Sequence, residues 1–335
     1  MRYLILLLLV AQLGGCATVL SDSERTAVAG KTYVITGASS GFGKGVALEL
    51  AALRANVVLA ARRTDALEAV AAEAAAKGGN ALVVTTDVSR QGDVQRLLDA
   101  ALARFGRVDV WINNAAVGAI GAFDSVPLDD HARIVDVNLK GLIYGSHAAI
   151  RQFRKQGAGT LVNIGSVESV IPQAYHATYS ATKAATLSLG RSLNEELRLT
   201  GAGNIAVATV LPWATDTPFF THAANYSGGT PRMPLMDEPQ KVVDAIVWVS
   251  VHPREELAVG WKAKAAYAGA RLAPDLAERF SANVAHRYQY ETAPPAPATA
   301  GAVHRPMPGS TGIDGGHRER IERENEERAA ARRGD

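Results

Sequence analysis

The chain has 335 residues, 47% hydrophobic and 20% charged, and its 35 basic and 33 acidic side chains leave a formal charge of +2. That is the balance of an ordinary globular protein with enough apolar matter for a sizeable core. With no basic block and 6% aromatic residues it excludes the footprint of a nucleic-acid binder, and a single cysteine excludes an internal disulfide.

The chain opens MRYLILLLLVAQLGGCATVL: one positive charge at Arg2, an apolar run over residues 3–13, then Gly14, Gly15 and Cys16. This is the layout of a signal peptide, and the run is shorter than the roughly 20 apolar residues a spanning helix needs. The Leu-Gly-Gly-Cys ending resembles a bacterial lipoprotein signal, which implies acylation of Cys16 and membrane association through the N-terminus. An uncleaved surface anchor, or a leader with a chance cysteine, are the other readings of residues 1–20.

From about residue 30 short β-branched runs alternate with Ala/Leu-rich stretches of helical period, which predicts βαβ units around a parallel sheet. The expected strands are 31–36, 56–61, 81–86, 108–113, 160–166 and 204–211, with a possible last one at 256–260. Their near-continuous apolar character predicts helices on both faces. One α/β domain over 21–290 accounts for them. Residues 291–335 read as a disordered Pro/Ala/Gly linker and a charged tail, because they offer little to bury.

TGASSGFGKG (36–45) follows the first strand and opens a helix. Gly37, Gly41 and Gly43 allow a tight turn and close approach of backbone N–H groups, while the helix N-terminus favours a pyrophosphate. YSATK (179–183) sets Tyr179 and Lys183 four residues apart on one helix face. There the cation is expected to lower the phenol pKa from about 10 and prepare it for proton transfer. Scattered His, Asp and Glu show no metal-ligand spacing, so no metal is expected.

Together these motifs resemble the short-chain dehydrogenase/reductase family: T-G-x-x-x-G-x-G, Asp87 with Val88 after the third strand, NNAA (113–116), Asn138, Ser166 after the fifth strand, Tyr179-x-x-x-Lys183, and P-W-A-T-D-T (212–217). The resemblance covers about residues 30–260 and implies a doubly wound Rossmann-type sheet of about seven strands in the order 3-2-1-4-5-6-7. It implies hydride transfer between a nicotinamide coenzyme and a carbonyl or alcohol substrate. Ser166 would hold the substrate oxygen, Tyr179 would move the proton, Lys183 would assist and bind the nicotinamide ribose, and Asn138 would support a water-linked relay. Coenzyme contacts would come from Gly37, Ser39, Ser40, Gly41, Phe42, Gly43, Asp87, Val88, Asn114, Ala115, Tyr179, Lys183, Thr215 and Thr217. A homodimer or homotetramer is also implied.

Arg62 follows Ala61, which stands where NAD-using relatives carry an acid, so NADP is expected over NAD. Two positions depart from the pattern: Ala116 and Trp213 each stand where the family has glycine. Glu168, His176, Trp213 and the segment 219–236 are expected to border the substrate pocket, the last as a mobile lid. The rival reading is a non-catalytic envelope lipoprotein that keeps the fold as a nucleotide-binding or scaffold module. It is prompted by the leader, since an exported chain would meet little dissolved coenzyme.

Overall fold

The computed structural model describes residues 20–334; the signal-like segment and Cys16 lie outside the described residues, Leu20 excepted. The first helix, α1 (Asp22–Val28), starts at Ser21, whose backbone N–H donates to the Glu24 carboxylate at 2.7 Å. That reciprocal cap satisfies donors a helix start leaves open.

Seven strands then build one parallel sheet: β1 (Thr32–Thr36), β2 (Asn56–Ala61), β3 (Asn80–Thr85), β4 (Val110–Asn113), β6 (Gly159–Ile164), β7 (Ile205–Leu211) and β9 (Glu256–Ala258). Their order is β3-β2-β1-β4-β6-β7-β9, the sheet implied by the resemblance. Register follows the apolar runs, with Val34 opposite Val58 and Trp111, and Leu161 opposite Val207. All five residues of β1 and all four of β4 are buried, because helices cover both faces.

Against one face lie α2 (Gly41–Ala52), α3 (Thr64–Ala76) and α9 (Pro239–Val251), packing Val46, Leu50, Leu67, Val243 and Ile246 into the core. The other face is closed by α4 (Gln91–Phe105), α6 (Gly141–Gln156) and α7 (Ala177–Leu199), with Leu97, Ala149, Phe153 and Leu197. Truncating one such buried leucine to alanine costs about 2–5 kcal/mol, so the layers fix the strand ends firmly. The chain leaves β1 toward β2 and β3 and returns to β4 on β1's other side. This reversal opens a crevice at the carboxyl ends of β1 and β4.

Further elements crowd that end. Helix α5 (Leu128–Val135) runs into α6 through a π-helical turn, Asp136–Lys140. A two-residue pair joins β5 (Ala119–Ile120) to β8 (Ala224–Asn225), just after α8 (Phe219–His222). The segment 219–236, expected as a mobile lid, is therefore pinned: Ala224 N–H donates to the Gly118 carbonyl at 2.9 Å and Tyr226 N–H to that of Ile120 at 2.7 Å. A helical hairpin, α10 (Gly260–Leu272) and α11 (Pro274–His286), stands beside it.

In place of a free linker and tail, residues 291–334 run back across the carboxyl end of the sheet and finish in α12 (His317–Gly334). The segment carries few apolar groups, but its backbone carbonyls supply acceptors to the half-buried Arg62 and Arg63 of the domain, and Val303 is fully buried. Hydropathy alone does not register that kind of anchoring. No helix among the described residues is long and apolar enough to cross a membrane.

Candidate active site

A cavity of about 810 Å³ occupies the crevice and extends toward the α10–α11 hairpin. It is lined by every residue named from the sequence as catalytic or coenzyme-binding except Gly43 and Asn138. At Gly43 a Cβ would lie 2.2 Å from the Gly37 carbonyl oxygen, so this glycine lets α2 approach the turn. Gly37 and Gly41 have φ of +69° and +54°, the left-handed region that favours glycine. Ser40 makes no side-chain cap at the start of α2.

The turn is held from behind. Asn114 Nδ2 donates to the carbonyls of Thr36 and Gly37 at 2.9 and 3.2 Å, and the Thr36 hydroxyl accepts from Asn114 and Ala115 N–H groups. The NNAA motif thus locks the glycine turn to the end of β4. Ala116 has no positive φ, so its backbone does not demand the glycine of the family pattern.

Asp87 spends its carboxylate locally. Its Oδ1 accepts from Ser89, and its Oδ2 pairs with Arg133 at 2.7 Å. Burial works against the charge, yet the hydrogen bonds from Ser89 and Arg133 outweigh it and hold the pKa below the usual aspartate value.

Tyr179 and Lys183 rise from α7 into the cavity opposite Ser166, which ends the run after β6. The Ser166 hydroxyl accepts from the Glu168 N–H at 3.1 Å and, beside the Tyr179 phenol, favours its ionised form. Lys183 Nζ donates to the Ile164 carbonyl at 2.6 Å and lies 5.4 Å from the centre of the Tyr179 ring. Burial lowers the lysine to about 8, against the pull of Glu168. The phenol, however, moves up: burial dominates and Glu168 adds to it, with only Ser166 opposing. This corrects the expectation from i to i+4 spacing, because the lysine charge is directed at a strand carbonyl and desolvation is the larger effect.

Asn138 sits on the π-helical turn, 5% exposed, with its side chain bonded to both backbone groups of Val117 and to the Thr182 hydroxyl. It joins the loop after β4 to α7. Beside it a second cavity of about 10 Å³, also touching Lys183, is close to the size of one water.

The substrate side is more ordered than its sequence announced. Glu168 accepts from Ser180 at 2.7 Å and meets His176 Nδ1 at 3.2 Å, fixing the loop over Tyr179. Trp213 lines the cavity and donates to the Leu235 carbonyl at 3.1 Å, which ties down the segment expected to be a lid. Thr215 bonds the Trp213 carbonyl, and Thr217 lies over Gly41. The segment 219–236 borders the cavity through Phe219 and Met233; sequence reasoning missed Trp261 and Phe280, which join them in an apolar wall. It also missed Ala302, Pro306 and Met307, which close the opposite end.

Residues 31–226 match the short chain dehydrogenase family. Oxidoreductase YxnA of Bacillus subtilis (strain 168), itself uncharacterized, is 34% identical over 277 residues, covering 82% of this chain and 78% of its own. A 3-ketoacyl-(acyl-carrier-protein) reductase from Brucella melitensis, solved in complex with NADH, superposes with a TM-score of 0.60 at 29% identity. It covers 69% of this chain and 96% of its own. An alcohol dehydrogenase from the archaeon Thermococcus sibiricus, solved with 5-hydroxy-NADP, has a TM-score of 0.58 at 27% identity, over 69% of this chain and 94% of its own. With its glycine turn, serine, tyrosine and lysine gathered at the switch point of a seven-stranded parallel sheet, the chain belongs to the short-chain dehydrogenase family.

Proposed function

We propose that this protein transfers hydride between NADP(H) and a carbonyl or alcohol substrate, with Tyr179 as general acid and base. One observation carries the reading: Ser166, Tyr179 and Lys183 share a single cavity with the glycine turn at the N-terminus of α2. The residues present suit a dinucleotide, since Gly37 and Gly41 take the positive φ of a tight turn at a helix start, where backbone donors face a pyrophosphate once the Gly41 N–H leaves the Gly312 carbonyl. When bound, the coenzyme supplies or accepts the hydride at the substrate carbon. Ser166 then holds the substrate oxygen, Tyr179 gives it a proton during reduction, and Lys183 replaces that proton. The small cavity between Lys183 and Asn138 supports a water at the start of the relay.

Preference for NADP(H) is supported by Arg62 and Arg63, which have no carboxylate within ion-pair distance among the described residues, and by Ala61, which brings no negative charge to the site. The two solved relatives carry one coenzyme type each and leave the choice to this chain's own residues. The apolar end built by Phe219, Met233, Trp261 and Phe280 supports a substrate with a mainly hydrocarbon body. Membrane association rests on the leader and Cys16. Self-association rests on the family and on the exposed small residues Ala177, Ala181, Ala184 and Ser188 of α7, a surface suited to close helix packing.

Tyr179→Phe tests the chemistry. It should bind coenzyme normally yet lose about 10²–10⁴ in kcat; full turnover would overturn the assignment. Protease access to the domain in intact and lysed spheroplasts tests which side of the membrane it faces.

A further inference from the structure

The segment that follows residue 300 lies beyond the family match, which ends at residue 226, and it is built into the cleft. Arg62 donates to three of its carbonyls, those of Ala302, Val303 and His304, at 2.5, 3.3 and 3.2 Å. Arg63 donates to Met307 and Gly309 carbonyls at 2.9 and 2.7 Å. Gly41 N–H, at the start of α2, donates to the Gly312 carbonyl at 2.9 Å. The Asp216 carboxylate then accepts from the N–H groups of His317 and Arg318 at 2.8 and 2.7 Å, capping α12. Farther along, Glu324 pairs at 3.0 Å with Arg232, which is 2% exposed. The segment is thus anchored on both sides of the crevice.

What it encloses is cationic. Arg62 and Arg63 are met by carbonyl dipoles and, among the described residues, by no carboxylate at ion-pair distance; Asp87 and Asp65 act on them only from farther away, so their charge is solvated and only partly offset. His222 lines the same cavity, and its Nε2 is buried with no hydrogen-bond partner. Burial and the two arginines push His222 down to about 4. A cavity end with two guanidinium groups and an unpartnered imidazole nitrogen, which donates when it carries the ring hydrogen, is suited to an anion.

We propose that residues 301–318 are a strap belonging to the coenzyme site: they close its phosphate-bearing end, so that a phosphorylated dinucleotide is held as a slowly exchanging resident group. The proposal rests on the coenzyme reading above. It assigns Arg62 and Arg63 a double task, anchoring the strap and facing the anion. It also assigns His222 as a phosphate-facing residue.

Two full-length variants open the strap by different means. In Gly315→Val the new Cβ would meet the Thr217 carbonyl oxygen at 2.6 Å, so the strap must lift. In Asp216→Asn the double acceptor at the start of α12 is weakened without added bulk. Each protein, checked for cooperative unfolding, is loaded with NADPH and diluted into excess NADP⁺, and release is followed by NADPH fluorescence. Release at least tenfold faster in both folded variants than in the native chain supports the strap. Equal release rates overturn it. Variants that bind faster and more tightly, with release unchanged, also overturn it, since the segment would then be a plug that competes with the coenzyme. If no form binds NADPH or NADH, the coenzyme reading falls first and the strap with it.

Discussion

Lys183 donates to the Ile164 carbonyl at 2.6 Å, so the ammonium is fixed by the end of β6 and not by the phenol of Tyr179. Its burial is nearly complete, at 5% exposure, and lowers its pKa to about 8. A lysine that refills Tyr179 during carbonyl reduction must be protonated. The kcat/KM for reduction is therefore expected to fall as pH rises past about 8, and Lys183→Arg to move that limb upward. A pH profile flat to pH 10 in the native enzyme contradicts this role.

The coenzyme preference is testable at Ala61, at the end of β2 and in the cavity wall. Ala61→Asp introduces a carboxylate that accepts ribose hydroxyls and repels a 2′-phosphate. The expected result is weaker NADPH binding by about 10–100-fold, with NADH unchanged or improved, on the scale of 1.4 kcal/mol per factor of ten. Equal losses for both coenzymes would show that residue 61 does not face the ribose.

How far the sequence spoke depended on the kind of interaction. The seven strands and the placement of Ser166, Tyr179 and Lys183 follow from apolar runs and motif spacing, since burial on two faces leaves a direct hydropathy record. The Tyr179 pKa did not follow, because its direction depends on desolvation and on where Lys183 points. Residues 291–334 were equally opaque. Their anchoring runs through main-chain carbonyls of Ala302, Met307 and Gly312, and a carbonyl has no side-chain signature. That the α10–α11 hairpin sets Trp261 and Phe280 on the cavity rim is a tertiary fact without a local sequence signal.

A stability prediction concerns Glu49 on α2. Burial and the nearby Asp244 push it up to about 7, although Gln240 donates to it at 3.0 Å. The folded state therefore binds more protons than the unfolded chain between about pH 4.5 and 7. Stability contributed by the protonated form is present below the unfolded pKa and is lost as pH rises through the folded one. Glu49→Gln removes this half-buried charge. It is expected to raise the melting temperature at pH 8 and to leave it nearly unchanged at pH 4, as read by thermal unfolding at the two values.

The apolar end of the cavity sets the remaining prediction. Trp261 and Phe280 line it while staying 62% and 71% exposed, so they form its rim and meet the solvent-facing part of a substrate. Each methylene taken out of water there contributes about 0.8 kcal/mol, or roughly a factor of four. Across a series of straight-chain ketones, kcat/KM should climb by up to that factor per carbon until the cavity is filled. Trp261→Ser and Phe280→Ser should flatten the later part of the climb and spare the short members, because both residues lie on the exposed rim. NADPH affinity should stay constant in both variants. A series that is flat in the native enzyme, or one led by short polar substrates, would show that this apolar wall does not select the substrate.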